Sequence, residues 1–169
     1  MSITSDSTRW YRGPAQVVFN DINLGDLQKG TAVEVNITPN VEYSMADQHG
    51  NSPVRAFKNG PDVEVIVYLR ERDYATFNAA LPSATYTPGD QTFRVDGGFE
   101  DLTSSAKTLV ITPLATGHSG DVMTVHLALP SIGSFVYSGD EDQVIPVTFK
   151  GLVDTDNDNQ LFTVTVHTS

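Results

Sequence analysis

The last quarter of the chain, "QVIPVTFKGLVDTDNDNQLFTVTV", constrains the fold more than any other stretch. Ile145, Val147, Phe149, Gly151 and Val153 alternate with Pro146, Thr148, Lys150 and Leu152. After an Asp/Asn-rich break, Phe162, Val164 and Val166 alternate with Thr163, Thr165 and His167. A period of two is that of a strand with one buried face, and two such runs about a turn-forming segment predict an antiparallel hairpin. A chain that ends this way must supply more sheet to cover the apolar face.

The remainder does so. "TAVEVNITPNVEYSMAD" alternates Val33, Val35 and Ile37 with Glu34, Asn36 and Thr38, then Val41 and Tyr43 with Glu42 and Ser44. Either two strands meet at a Pro39-Asn40 turn, or Pro39 sits in a bulge within one long bent strand. "DVEVIVYL" places Val63, Val65, Val67 and Leu69 on one face and Glu64, Ile66 and Tyr68 on the other. Further strands are expected at "AQVVFND", "QTFRV", "KTLVITPL" and "MTVHLALPS". One helix is expected over "RERDYATFNAAL", with Tyr74, Phe77 and Leu81 on one side, acids in the first turn and Pro82 as the stop. About eight strands and one helix predict a mainly β protein: a two-sheet β-sandwich or partly closed barrel flanked by one α-helix.

At 169 residues the chain fits one domain with a core of its own. Residues 1–14 read as an N-terminal arm and 15–169 as a single β domain. Residues 47–62, "DQHGNSPVRAFKNGPD", are long for a connection and read as functional or as a hairpin reaching elsewhere. The polar start and the absence of a long apolar run predict a soluble product without a secretory leader.

Cysteine is absent, which excludes disulfides, thiolate zinc sites and thiol catalysis. His49, His118, His126 and His167 are too scattered for a zinc set, and His126 reads as a surface or edge residue. Asp154, Asp156 and Asp158 have the alternate spacing of a calcium loop. Asn159 nevertheless stands where the sharp-turn glycine belongs, and Thr165 where a bidentate Glu belongs, so a hairpin turn is the plainer reading. No nucleophile elbow or phosphate-cradling glycine loop is present, so neither an enzyme nor a cofactor is expected.

The formal net charge is −11, from 21 acids and 10 bases. Such a chain lacks the basic surplus with which proteins grip DNA. Solubility accounts for the excess, and so does a surface built to repel a polyanion.

The order of "VFNDINLGD", "VEVNITPNVEYSMAD", "DQHGNSPV", "GPDVEVIVYLRE", a helix, "IPVTFKGLVD", the acidic turn and "LFTV" resembles the tail tube (major tail) proteins of long-tailed bacteriophages. The resemblance covers most of the chain and is loosest over the arm and residues 84–140. It implies hexameric rings that stack, each copy lending about four strands to a shared inner β-barrel, which removes exposed sheet edges. It implies Glu34, Asn36, Glu42 and Glu64 lining the lumen. It also implies contacts between copies through the arm, at Trp10 and Tyr11, and through the long connection, at Gln48, His49, Gly50, Pro53 and Phe57. Partners would be further copies, the tape measure, tip or initiator and terminator proteins of the tail, and double-stranded DNA in transit. The location would be the virion tail, after assembly in the host cytoplasm.

Dimensions allow such a duct. About 24 strands spaced ~4.8 Å and tilted ~40° give a backbone diameter of ~48 Å, and side chains leave a bore of ~38 Å. Duplex DNA, ~20 Å across, fits with room for water. Six copies of −11 carry a formal charge of about −66 per ring, and a carboxylate wall offers phosphates no ion pairs. Three rival readings remain: a tail terminator, a contractile injection or secretion tube of the same fold, and a sugar-binding or capsid-decorating β-sandwich.

Overall fold

The computed structural model describes residues 14–25, 27, 33–45, 52–70, 78, 84–90, 92–95, 101–114, 121–132 and 144–165. Twelve strands lie within them. They are β1 (Ala15–Phe19), β2 (Ile22–Asn23), β3 (Val33–Thr38), β4 (Val41–Met45), β5 (Pro53–Lys58) and β6 (Asp62–Leu69). The second half adds β7 (Ala84–Thr87), β8 (Thr92–Val95), β9 (Lys107–Pro113), β10 (Val122–Ile132), β11 (Ile145–Leu152) and β12 (Phe162–Thr165). The mainly β expectation agrees with this architecture. The expected helix lies outside the described residues except at Asn78, which is helical.

One eight-stranded sheet runs β2-β1-β9-β10-β11-β6-β3, with β12 also paired to β10; β4-β5 and β7-β8 are separate two-stranded sheets. The large sheet is antiparallel throughout. It curls over its own core. Phe19 of β1 and Phe149 of β11 lie three strand spacings apart in the sheet order, ~14 Å in a flat sheet, yet their ring centroids are 5.1 Å apart.

The curl has a local cause in β10. Val125 pairs with Leu109 and Ala128 with Lys107, so three steps on β10 match two on β9. A bulge of this kind bends a strand and increases its twist. The first half of β10 therefore pairs with β9 and β12, and the second half with β11. The expected two layers are two halves of a single folded sheet. Among the described residues its end strands, β2 and β3, do not pair, so the sheet does not close into a barrel.

The core between the halves takes Val17 and Phe19, Leu109 and Ile111, Val125 and Ala128, Ile145, Val147 and Phe149, and Val65, Val67 and Leu69. Within each strand they sit at alternate positions, as a pleated face requires, except that Val125 and Ala128 are three apart across the bulge. Gly151 continues the β11 face where a side chain would be crowded, since an added Cβ would lie 3.2 Å from Val63 Cβ.

Two expected hairpins are corrected. β11 and β12 do not pair with each other: both run antiparallel to β10, one after the other, with Leu152 opposite Leu127 and Phe162 opposite Val125. The Asp/Asn-rich segment is an excursion closed at its neck by the Asp154–Gln160 bridge. Asp158 and Asn159 take positive φ at its tip, and the chain then resumes its original direction. Likewise β3 and β4 do not pair; β3 pairs with β6 and β4 with β5. A two-residue hairpin turn needs positive φ at both positions or at the first, which a proline at position 39 cannot supply. The bent-strand alternative is the observed one. The two-residue turn is instead Asn20-Asp21, with φ of 49° and 64°, joining β1 to β2.

Candidate functional site

The β3-β6-β11 registers place Asn36 opposite Glu64 and Glu64 opposite Lys150, with Glu34 opposite Ile66 and Thr38 opposite Asp62. Residues directly opposite share a face, so Glu34, Asn36 and Glu64 stand together on the side of the sheet away from the core. Asp62 and Lys150 join them. Tyr68 donates from its hydroxyl to Glu34 Oε2 at 3.4 Å, and Lys150 Nζ lies 3.8 Å from Asp62 Oδ1, both side chains well exposed. An exposed pair of that length is weak. Within these three strands the face holds three carboxylates and one ammonium, net −2 per copy.

Glu42 lies outside these three strands, on the β4-β5 sheet. It lies on β4, opposite Phe57 of β5, and accepts from Asn59 Nδ2 at 3.2 Å. Strands β4 and β5 extend the β3-β6 pair beyond the core as one ribbon, linked across the junction by Asn59 N donating to Asn40 O at 2.9 Å. Two residues separate β3 from β4 and three separate β5 from β6; Gly60, at φ +84°, absorbs the extra one.

Every described residue of the ribbon's two strands is exposed. Its apolar side is a continuation of the β3 pattern. Val33 packs against the core, but Val35 is 37% exposed, Ile37 48%, Val41 41%, Tyr43 57% and Met45 61%. Of the expected contact residues, Pro53 and Phe57 lie on β5, and Phe57 is half exposed. Trp10, Tyr11, Gln48, His49 and Gly50 lie outside the described residues.

Among the unpaired sheet edges of the described residues, two flank the acidic face. One is the outer side of β3, the end of the sheet path. The other is the side of Leu129–Ile132 turned away from β11, since β9 reaches only to the partner of Ala128. Between these edges stand four strands, β3, β6, β11 and the second half of β10.

The acidic loop has a different anatomy from a cation site. Asp154 Oδ1 accepts from Asp156 N at 3.1 Å, forming an Asx turn. Among the described residues no three His, Asp or Glu side chains converge as a metal set. Asn157 Nδ2 reaches His126 Nδ1 at 2.9 Å, clasping the loop to the β10 bulge. His126 is therefore half-buried rather than a surface residue, with Nε2 buried and unpartnered. Sequence gave no sign of this contact, because it depends on a bulge set by the β9 register.

No protein-family model matches the sequence, and no curated protein matches it. Solved structures do. A chain from the extended-state sheath–tube complex of an extracellular contractile injection system, PVC, aligns with a TM-score of 0.52 at 10% identity, over 99% of this chain and 100% of that one. A chain of the anti-feeding prophage baseplate aligns at 15% identity over 80% and 84%, with a TM-score of 0.38, too loose to carry a conclusion. The first likeness shows a shared fold spanning the whole chain.

Proposed function

We propose that this protein is a structural, non-catalytic subunit of a phage tail tube, stacking as hexameric rings around a lumen through which DNA passes. The observation that carries the reading is the four-stranded layer β3-β6-β11-β10. It has a net acidic face, an apolar face on the core and an unpaired edge at each end. An even number of antiparallel strands per copy lets β3 of one copy meet β10 of the next in antiparallel sense, so closure needs no change of pairing type. Six such layers supply the roughly 24 strands of a DNA-sized duct. Glu34, Asn36, Glu64, Asp62 and Lys150 would then form the wall. Net −2 per copy repels phosphates, and screening over ~8 Å confines that repulsion to the near-wall zone.

The apolar stripe from Val35 to Met45 supports self-assembly from another direction, since a monomer rarely leaves a long alternating ribbon uncovered. The other partners would be the tape measure, tip or initiator and terminator proteins, and the site of action the virion tail after assembly in the host cytoplasm. A second reading, the inner tube of a contractile injection particle, is favoured by the likeness to the sheath–tube complex.

Negative-stain images of concentrated protein test the proposal. Hollow tubes are expected; single rings would indicate a terminator, and monomers or trimers at every concentration would end the tube reading. Tubes of the parent protein should not retain duplex DNA, whereas tubes carrying Glu34→Lys and Glu64→Lys should retain it in a salt-sensitive manner.

A further inference from the structure

The outer face of β1 and β9 bears a groove of about 390 Å³. Val18, Val110 and Leu127 provide its apolar lining, and Asp21 and Lys107 edge it. Val18 and Val110 are cross-strand partners, and Leu127 follows His126 in the β10 bulge. The groove lies on the side of β1 and β9 opposite the core residues Val17, Phe19, Leu109 and Ile111. Its volume is at the small end of ligand pockets and admits an aromatic ring with room to spare, since a cavity of about 150 Å³ already takes benzene.

The ribbon carries a ring of that kind. Phe57 is half exposed and stands among polar neighbours: Glu42 directly across, Arg55 two residues before, and Asn59 two residues after. Its surroundings are the reverse of the stripe on the ribbon's other side, where Val41, Tyr43 and Met45 share one face. An isolated aromatic inside a polar rim is the arrangement of an interface anchor. One acid and one base border the aromatic, and one acid and one base border the groove.

We propose that Phe57 of one copy seats in the Val18–Val110–Leu127 groove of the next, with Glu42 meeting Lys107 and Arg55 meeting Asp21. The contact rests on the self-assembly reading above and specifies how the ribbon is used. Knob and socket lie on different parts of the molecule, so the contact is heterologous. Each copy offers a free knob and a free socket after pairing, and the assembly closes as a ring or propagates as a filament. A reciprocal two-fold dimer, each knob in the other's socket, would leave neither free and could not propagate.

The chain has no cysteine, so Glu42→Cys with Lys107→Cys places one thiol beside the knob and one beside the socket while keeping Phe57 and its groove. Air oxidation of concentrated protein should give a disulfide-linked ladder in multiples of 18.3 kDa. A ladder stopping at dimer, or no intermolecular product, overturns the contact. Independently, Lys107→Glu should raise the concentration for half-assembly about tenfold, and adding Glu42→Lys should restore it to within about threefold. Circular dichroism identical to the parent establishes that these surface variants fold, and failure of the second change to rescue the first counts against the proposal. A ladder without hollow tubes would sink the tube reading and keep the contact. Hollow tubes from the parent, with neither ladder nor rescue, would do the reverse.

Discussion

Strand β6 and the ribbon strand β4 carry the same two-residue alternation of apolar and polar side chains and end in opposite surroundings. Val63, Val65 and Val67 of β6 are fully buried, while Val41, Tyr43 and Met45 of β4 are 41%, 57% and 61% exposed. The difference is in what covers them. The second half of the sheet is folded onto the first by the β10 bulge, and β6 lies beneath it; the ribbon continues past the edge of that cover. Alternation therefore specifies a strand with one apolar face, but not whether the cover comes from the same chain. In β6 it does. In the ribbon the proposed cover is a neighbouring copy.

That contrast can be broken at the covered end first. Phe149→Ala should destabilise the monomer by about 3–5 kcal/mol, because the ring is buried against Phe19 and leaves a cavity. Phe57→Ala should leave monomer stability within about 0.5 kcal/mol in urea titration. Similar losses for the two would mean that the ribbon is covered within its own chain. Gly151→Val is next, expected at about 1–3 kcal/mol by overpacking against Val63 and Val125. Asn157→Ala should cost about 0.5–1.5 kcal/mol, through loss of its hydrogen bond to His126. It should speed amide exchange in the 154–160 loop without touching β6.

At the uncovered end, Tyr43→Ser with Met45→Ser should raise the half-assembly concentration at least about tenfold while leaving the urea midpoint of the monomer unchanged. The smallest effect concerns neither region. Asp101 Oδ1 accepts from Thr103 N at 3.0 Å, and hydrogen bonds from Thr103 hold its carboxyl below the usual value. A carboxyl with a lowered folded-state pKa contributes stability above its ordinary pKa, which is lost as pH falls through the lowered value. Asp101→Asn should abolish that part of the acid dependence and leave neutral-pH assembly intact, as followed by thermal melts across pH.

The strands of the core were legible because Val63 to Leu69 and Ile145 to Phe149 alternate without interruption and bury what they alternate. Pairing was less legible. Pro39-Asn40 and the 154–160 loop both look like reversals, yet the first cannot adopt the positive φ of a tight hairpin and the second reverses twice. Strand partners are long-range facts: β11 finds β6 and β10, and nothing local to "VDTDNDNQ" records that β12 will follow it along the same neighbour. The shared face of Glu34, Asn36 and Glu64 follows from alternation once β3 and β6 are known to pair. Glu42 continues the same alternation past Pro39-Asn40, on the β4-β5 sheet rather than the main one. Asp62 and Lys150 became visible as members of that face only through register. The short turn at Asn20-Asp21 and strand β7 leave no periodic signal, since "NDIN" and "ATYT" are too brief for one.

Amide hydrogen exchange, compared between dilute monomer and concentrated assembly, tests most directly whether other copies supply the missing cover. Within Val33–Thr38, Val41–Met45 and Leu129–Ile132, the amides turned to the open edge should be weakly protected in the monomer and slow by orders of magnitude on assembly, while those of Val63–Leu69 stay slow in both. Equal protection of the ribbon and the β3 edge in both samples would contradict the account.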